Sequence, residues 1–323
     1  VHALTKCNTK AKALPAAYNA GLRTVTAVHD PNHIGSNQLL NTPCIACACS
    51  TPHQVLFEKN GSVVRRCNAC GLGQAEPRNF QPEAYYTEEY FSGGHADGYS
   101  DYAGSEVVLR AEFSRVVDVL KTLITPGGRL LEIGSAYGFF LKEAQSVYEV
   151  HGIELAREAV EACHRAGLPN VRQGVADDLT LSSIGPVDAI VMLDVIEHLQ
   201  DPFETLRRCS SILKPGGVML ITTGDFGSFA ARLTGHRWRL MTPPQHLWFF
   251  TRKSISRISS SLGLSMVGFS RPWKLVPLSL ILFQVARILG FGLKPSSMAH
   301  LSRFGIPVNL FDAMRVVIRK PVD

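Results

Sequence analysis

From Gly128 onward, short apolar runs alternate with stretches of helical spacing, the pattern of βαβ units around a parallel sheet. Arg129–Ile133, Glu149–Ile153, Val171–Gln173, Ala189–Leu193 and Val218–Thr222 read as strands. Ser265–Phe269 and Met314–Arg319 add two more, for seven in all. Helices fit between them. Asp201-Pro202-Phe203-Glu204 offers an N-cap, a proline at the first helical position and an acid at the third. Apolar Leu206, Cys209, Ile212 and Leu213 follow, until Lys214-Pro215-Gly216-Gly217 stops the helix. Another helix is expected over Lys253–Leu262, and Val108, Leu109, Phe113, Val116, Val117 and Leu120 mark one over Ser105–Leu123. Before Leu40 no period is sustained, which predicts a loose tail with room for one short helix.

At 323 residues, 46% hydrophobic and 19% charged, the chain has the make-up of a soluble globular protein with one large domain and an appendage, or two small domains. The formal charge of +6 is unevenly spread. From Arg232 to the end there are fourteen Lys and Arg against two acids, whereas the preceding residues carry nineteen against twenty-five. The basic stretch is also rich in Leu, Ile, Phe and Trp, which points to an anionic membrane surface or substrate more than to nucleic acid. The first thirty residues hold no continuous apolar run, so a cytoplasmic location, with peripheral membrane contact as an option, is the expectation.

The strand at Leu130 ends in an acid and runs into Glu132-Ile133-Gly134-Ser135-Ala136-Tyr137-Gly138, with a helix expected from Phe139. Glycine serves where backbone turns tightly or approaches a ligand. The crevice of an open α/β sheet lies at such carboxyl strand ends. Glu154 ends the next strand twenty-two positions after Glu132 and can accept hydrogen bonds from a ribose diol. A plain structural βα turn remains an alternative. A dinucleotide site fits poorly, because the spacing is not G-x-G-x-x-G and an acid sits badly beside a pyrophosphate.

Several motifs in order resemble class I S-adenosylmethionine-dependent methyltransferases. The loop resembles the family's acid-x-Gly-x-Gly-x-Gly, with Ala136 in the middle position, and Glu154 its ribose acid. Val187-Asp188 through Leu193-Asp194-Val195-Ile196-Glu197-His198 resembles the fourth-strand motif, and Leu213–Gly217 the turn before the fifth strand. Met314–Lys320 resembles the closing strand. The resemblance implies an α/β, Rossmann-like fold with a seven-stranded methyltransferase sheet. It also implies S-adenosylmethionine held by Glu132, Gly134, Ser135, Ala136, Gly138, Glu154 and Leu193. The family's adenine acid has no exact counterpart: Val175 stands at that position, and Asp177 either substitutes for it or caps a helix.

Cys44-x-x-Cys47 and Cys67-x-x-Cys70 form two knuckles able to close a tetrahedral structural zinc site, with Cys49 an alternative to Cys47. Such a zinc ribbon, followed by aromatics over Tyr85–Tyr102, resembles bacterial methyltransferases of sugar, polysaccharide, antibiotic and quinone pathways. Methyl transfer requires the acceptor to be positioned and, for a hydroxyl, deprotonated. Asp194, Glu197, His198 and His246 are the candidates. His198 or His246 can act as base, Glu197, His198 and His246 can hold a divalent metal, or Glu197 and His198 simply tie the strand end to its loop. Trp273–Leu293 has helical apolar spacing with basic flanks. It suits an interfacial helix, a cover for the active site or a dimer contact, but is too short to span a bilayer.

The expected organisation is a tail (1–40), zinc ribbon (41–75), aromatic linker and helix (76–125), S-adenosylmethionine-binding core (126–270), basic apolar helical insert (271–308) and final core strand (309–323). The expected activity is methylation of a small or lipid-linked acceptor, on a hydroxyl of a sugar or quinone-like molecule. The alternatives are a nucleic-acid-associated methyltransferase, disfavoured because the ribbon region has few cations beyond Lys59, Arg65 and Arg66, and a non-catalytic S-adenosylmethionine-binding module. The sequence does not set the oligomeric state.

Overall fold

The computed structural model describes residues 39–77, 102–288 and 300–322. Residues 1–38 of the expected tail and the aromatics Tyr85, Tyr86, Tyr90 and Phe91 lie outside the described residues, whereas Leu39 and Leu40, assigned to the tail, begin the first strand. The first unit is built from β1 (Leu39–Cys44), β2 (Cys49–Lys59), β3 (Ser62–Cys67) and β4 (Gly73–Pro77). Then come α1 (Glu106–Lys121), β5 (Arg129–Ile133), α2 (Phe139–Ala144), β6 (Glu149–Glu154), α3 (Arg157–Arg165), β7 (Val171–Gln173), α4 (Asp178–Ile184) and β8 (Val187–Leu193). The chain continues through α5 (Pro202–Ile212), β9 (Leu213–Gly224), α6 (Phe229–Thr234), β10 (Trp248–Phe249), α7 (Arg252–Ser261) and β11 (Ser265–Ser270). It ends with β12 (Lys274–Pro277), α8 (Leu278–Ile288), β13 (Gly305–Val308) and β14 (Ala313–Arg319).

Seven strands form the central sheet in the order β11-β14-β9-β8-β5-β6-β7. The pairings β8–β9, β5–β8, β5–β6 and β6–β7 are parallel, and β14 lies antiparallel to both neighbours. Strand order reverses between β5 and β8, which opens a crevice at their carboxyl ends. The central strands read as unbroken apolar runs because both of their faces are covered. Leu131, Ile133, Ile190, Met192, Met219 and Ile221 pack on one face with residues of α4, α5 and α7. Leu130, Ala189, Val191, Val218 and Leu220 pack on the other with residues of α1, α2 and α3.

The helix expected after Asp201 is capped as its sequence implies, the carboxylate accepting from Glu204 N at 2.9 Å, and it ends at Ile212. Lys214–Gly217 is an irregularity inside β9 rather than a separate turn. The pairing moves from Val187–Leu213 to Ala189–Val218, and Gly216 has φ of 75°. The insert also departs from expectation. Lys274–Pro277 is a strand, paired with Gly305–Val308, and the helix begins only at Leu278. The Leu275 N–H donates to Glu112 of α1 at 2.8 Å, and Pro277 precedes the helix because its ring cannot sit inside one. Among the described residues no helix is long and apolar enough to cross a membrane.

Much of the basic excess beyond Arg232 is matched inside the fold. Arg239 pairs with Asp312, Arg271 with Asp225 and Lys274 with Asp194. Arg319 and Lys320 donate to backbone carbonyls. The buried Asp312 carboxylate accepts two bonds from Arg239, both at 2.8 Å, and one from Trp238 Nε1 at 2.9 Å, joining the segment after α6 to the start of β14. Removing one partner of a buried pair strands the other groups. Asp312→Ala is therefore expected to cost about 3 kcal/mol in urea unfolding, with Asp312→Asn milder; a loss within error would deny Asp312 this anchoring role.

Candidate functional site

The residues predicted for the cofactor gather at the carboxyl ends of β5 and β6. Gly134 and Gly138 have φ of 74° and 73°, and a Cβ at either would come within 2.5 Å of Val195 Cγ2 or Leu168 Cδ1, so both positions require glycine. Ala136 stands between them with φ of 46°, in the region where the family's usual glycine carries no strain. The Glu154 carboxylate stitches this loop to β6 by accepting from Ala136 N at 2.7 Å and Ala156 N at 2.9 Å. Burial raises the Glu154 carboxyl above its ordinary value, and the two backbone donors oppose that rise. Glu132 is fully enclosed, raised well above the ordinary carboxyl range by desolvation and then by the Glu154 charge. Its Oε2 and the Ser135 hydroxyl, both buried, have no hydrogen-bond partner among the described residues. Leu193 ends β8 opposite Thr222 and packs against the core.

Two residues of the quoted motifs have other partners. Asp177 caps α4, accepting from Thr180 N at 2.7 Å, which is the helix-cap alternative. Asp188 accepts from Arg129 N and Lys214 Nζ at the opposite end of the sheet from the crevice.

Beyond β8 the chain turns sharply, with Asp194 at φ of 56°, into a helical turn Ile196–His198. Glu197, His198 and His246 come together here, one ligand atom of each lying within 4.8 Å of the others. The His198 and His246 rings meet edge to face at 4.7 Å. Each ring is oriented by the backbone. His198 Nδ1 donates to the Gln245 carbonyl at 3.0 Å and His246 Nδ1 to the Leu240 carbonyl at 2.7 Å. Desolvation pushes His198 down to about 4, and desolvation with the neighbouring His198 pushes His246 down to about 3. Both rings are thus neutral near pH 7, the state required of a metal ligand and a weak one for a base. Burial and then the Asp194 charge push the Glu197 carboxyl up to about 8, and its Oε2 has no hydrogen-bond partner among the described residues. Asp194 is engaged by Thr222 Oγ1 at 3.0 Å and Lys274 Nζ at 2.6 Å. Sequence reasoning missed Lys274 here. Lys274 sits at the basic flank of the apolar insert, and nothing local signals an ion pair with a residue eighty positions earlier.

The four knuckle cysteines also converge. All Sγ atoms of Cys44, Cys47, Cys67 and Cys70 lie within 4.8 Å of one another, so Cys47 rather than Cys49 completes the set. Cys44–Cys70 and Cys47–Cys67 are separated by 3.6 and 3.8 Å. A tetrahedron with metal–sulfur arms of about 2.3 Å has edges of about 3.8 Å, so the spacing fits a thiolate-bound zinc. Arg257 of α7 donates to Cys47 Sγ at 2.9 Å.

A model of the methyltransferase domain matches residues 108–268. The ubiquinone biosynthesis O-methyltransferase of Xanthomonas axonopodis pv. citri is 32% identical over 167 residues, covering 46% of this chain and 69% of that protein. The chain belongs to the class I S-adenosylmethionine-dependent methyltransferase family. The ubiquinone biosynthesis O-methyltransferase of Caulobacter vibrioides is 36% identical over 103 residues, 30% of this chain and 41% of that protein. The match to the Xanthomonas campestris enzyme of the same name spans only 44% of that relative's length, at 33% identity. Among solved structures, a SAM-dependent methyltransferase from Archaeoglobus fulgidus superposes with a TM-score of 0.46 at 19% identity, covering 65% of this chain and 94% of that one.

The crevice of this chain fits the family's cofactor. Glu132 Oε2 and Ser135 Oγ are buried polar atoms with hydrogen-bonding capacity to spare, and a carboxylate-lined site suits a sulfonium cation. Ionisation at the neighbouring cluster gives a pH prediction. An unfolded histidine protonates near 6.5, whereas His198 and His246 resist protonation to about 4 and about 3. The unfolded chain therefore binds protons first, and stability is lost as pH falls from 6.5 toward 4. Glu197, raised from 4.5 to about 8, works in the opposite sense, its contribution declining as pH rises through that window. In metal-free buffer the thermal midpoint of the wild type minus that of His246→Gln is predicted to fall as pH drops from 6.5 toward 4; a difference that does not change with pH contradicts this ionisation scheme.

Proposed function

We propose that this methyltransferase methylates a hydroxyl of a small or lipid-linked acceptor above the β5–β8 crevice. The observation that carries the reading is the convergence of Glu197, His198 and His246 at the end of β8, on the strand next to the one that bears the cofactor loop. When bound, S-adenosylmethionine supplies an electrophilic methyl group. Glu132, Glu154, Ser135 and the Gly134–Gly138 loop would hold it, Glu154 as the acceptor for its ribose hydroxyls. Glu197, His198 and His246 would hold a divalent cation, which supplies Lewis acidity toward an acceptor oxygen. The Gln245 and Leu240 carbonyls keep both rings aimed, as the partners of metal-bound imidazoles commonly do. Cys44, Cys47, Cys67 and Cys70 would hold a structural zinc with no open position, and so take no part in the chemistry. The relatives named for ubiquinone biosynthesis support an O-linked product on a quinone-like molecule.

Mn2+ titration followed by electron paramagnetic resonance tests the cation site. One equivalent should bind the wild type. His198→Ala, His246→Ala and Glu197→Gln should each weaken binding at least tenfold and lower methyl transfer from labelled S-adenosylmethionine into a lipid extract at least a hundredfold, with cofactor affinity preserved. Full activity in all three variants would sink the assignment, as would label found only in RNA.

A lipid-linked acceptor is favoured by the β12–β13 region. Trp273, Phe304, Leu310 and Phe311 are each more than half exposed there, beside the basic residue Arg303. Aromatic and basic side chains together suit an anionic bilayer surface. Phosphatidylglycerol vesicles should retain the wild type at low salt, and Trp273→Ala with Phe311→Ala should release it. Equal retention by both would remove the membrane contact from the reading.

A further inference from the structure

His246 owes its place to the cysteine ribbon. The ribbon sheet has five strands, in the order β1-β2-β3-β4-β10, and its fifth strand comes from the methyltransferase core. Trp248 and Phe249 pair antiparallel with Gln74 and Gly73, and Ala75 N donates to the Leu247 carbonyl at 2.8 Å. The tip of the β2–β3 hairpin grips the same segment further upstream. Lys59 Nζ donates to the carbonyls of His236 at 2.9 Å and Met241 at 2.7 Å, and Asn60 Nδ2 to that of Pro243 at 2.8 Å. His246 therefore lies between two ribbon anchors, with Leu240, which orients its ring, between the two carbonyls held by Lys59.

The opposite edge of this segment faces the other cluster residues. Leu247 N donates to the Glu197 carbonyl at 2.9 Å, Gln245 accepts from His198, and Trp248 Nε1 donates to the Leu199 carbonyl at 2.9 Å. Residues 245–248 thus form a strip held between the ribbon edge and the turn carrying Glu197 and His198. The knuckles are fastened to the start of the next helix, with Thr251 Oγ1 donating to the Cys70 carbonyl at 2.9 Å and Arg257 to Cys47 Sγ. A unit as small as residues 39–77 has too little core to hold its shape alone, and a four-thiolate cross-link is the usual remedy.

We propose that the metal-loaded ribbon is the positioning element of the acceptor site, with Lys59, Asn60 and the β4 edge clamping His246 against Glu197 and His198. The inference rests on the reading of the two clusters as metal sites. It adds that they are linked: loading the cysteines raises the affinity of the Glu197–His198–His246 site for its cation, and by thermodynamic reciprocity the reverse holds.

The test uses the full chain with Lys59→Ala and Asn60→Ala combined, both remote from the ligand atoms. With zinc content and S-adenosylmethionine affinity unchanged, amide hydrogen exchange over 236–250 should quicken at least tenfold and Mn2+ affinity should fall at least tenfold. Lys59→Arg alone, which can still reach both carbonyls, should restore most of the protection. Chelator removal of zinc from the wild type should quicken exchange over 236–250 together with the ribbon. Exchange over 236–250 that stays at the wild-type rate in the double variant, or while the zinc-free ribbon opens, overturns the clamp. A wild type that binds no Mn2+ overturns the acceptor-site reading instead, and one that carries no zinc overturns the cysteine reading. In either case hydrogen exchange in the Lys59/Asn60 variant still decides whether the ribbon holds the segment.

Discussion

Three carboxyl groups, Glu132, Glu154 and Glu197, are buried at the carboxyl ends of the adjacent strands β5, β6 and the turn after β8. Taking a carboxylate out of water costs several kcal/mol unless donors replace the lost solvent. Glu154 receives two backbone N–H groups and thereby fixes the shape of the Gly134–Gly138 loop. Among the described residues Glu132 and Glu197 each keep one oxygen without a partner, and both are driven toward the protonated form. A fold does not retain such groups for stability, because an apolar residue of similar volume would serve better. On the reading proposed above, the cofactor cation at Glu132 and a metal cation at Glu197 would offset their burial.

The remaining architecture serves to hold these groups in register. Parallel strands bring Glu132, Glu154 and the turn after Leu193 to one edge, while the acidic core and the basic C-terminal part meet in specific ion pairs. Lys274 reaches Asp194 from the insert, so the insert is electrostatically continuous with the turn that carries Glu197 and His198 rather than an appendage to it. On the other flank the ribbon reaches the same site through backbone pairing. Two peripheral elements therefore converge on one turn of chain, Asp194–His198.

The sheet was legible in the sequence because its strands are covered on both faces and so read as continuous apolar runs, closed by acids where the crevice opens. The knuckles were legible because C-x-x-C spacing is a local consequence of metal geometry. What could not be read was non-local. Trp248–Phe249 is too short to announce itself as a strand and acquires that state only by pairing with Gln74 and Gly73. Lys274–Pro277 has apolar spacing compatible with either helix or strand, and its pairing with Gly305–Val308 decides for strand. The roles of His246 and Lys274 depend on contacts between distant segments, for which residue type alone gives no partner.

Isothermal titration of S-adenosylmethionine into the wild type and Glu154→Ala is the most direct measurement of the central claim. The account predicts one site per chain in the wild type and an affinity at least tenfold weaker in Glu154→Ala, a loss of about 1.4 kcal/mol or more. A folded, zinc-containing wild type that takes up no S-adenosylmethionine, or a Glu154→Ala variant that binds it equally well, would contradict the placement of the cofactor site.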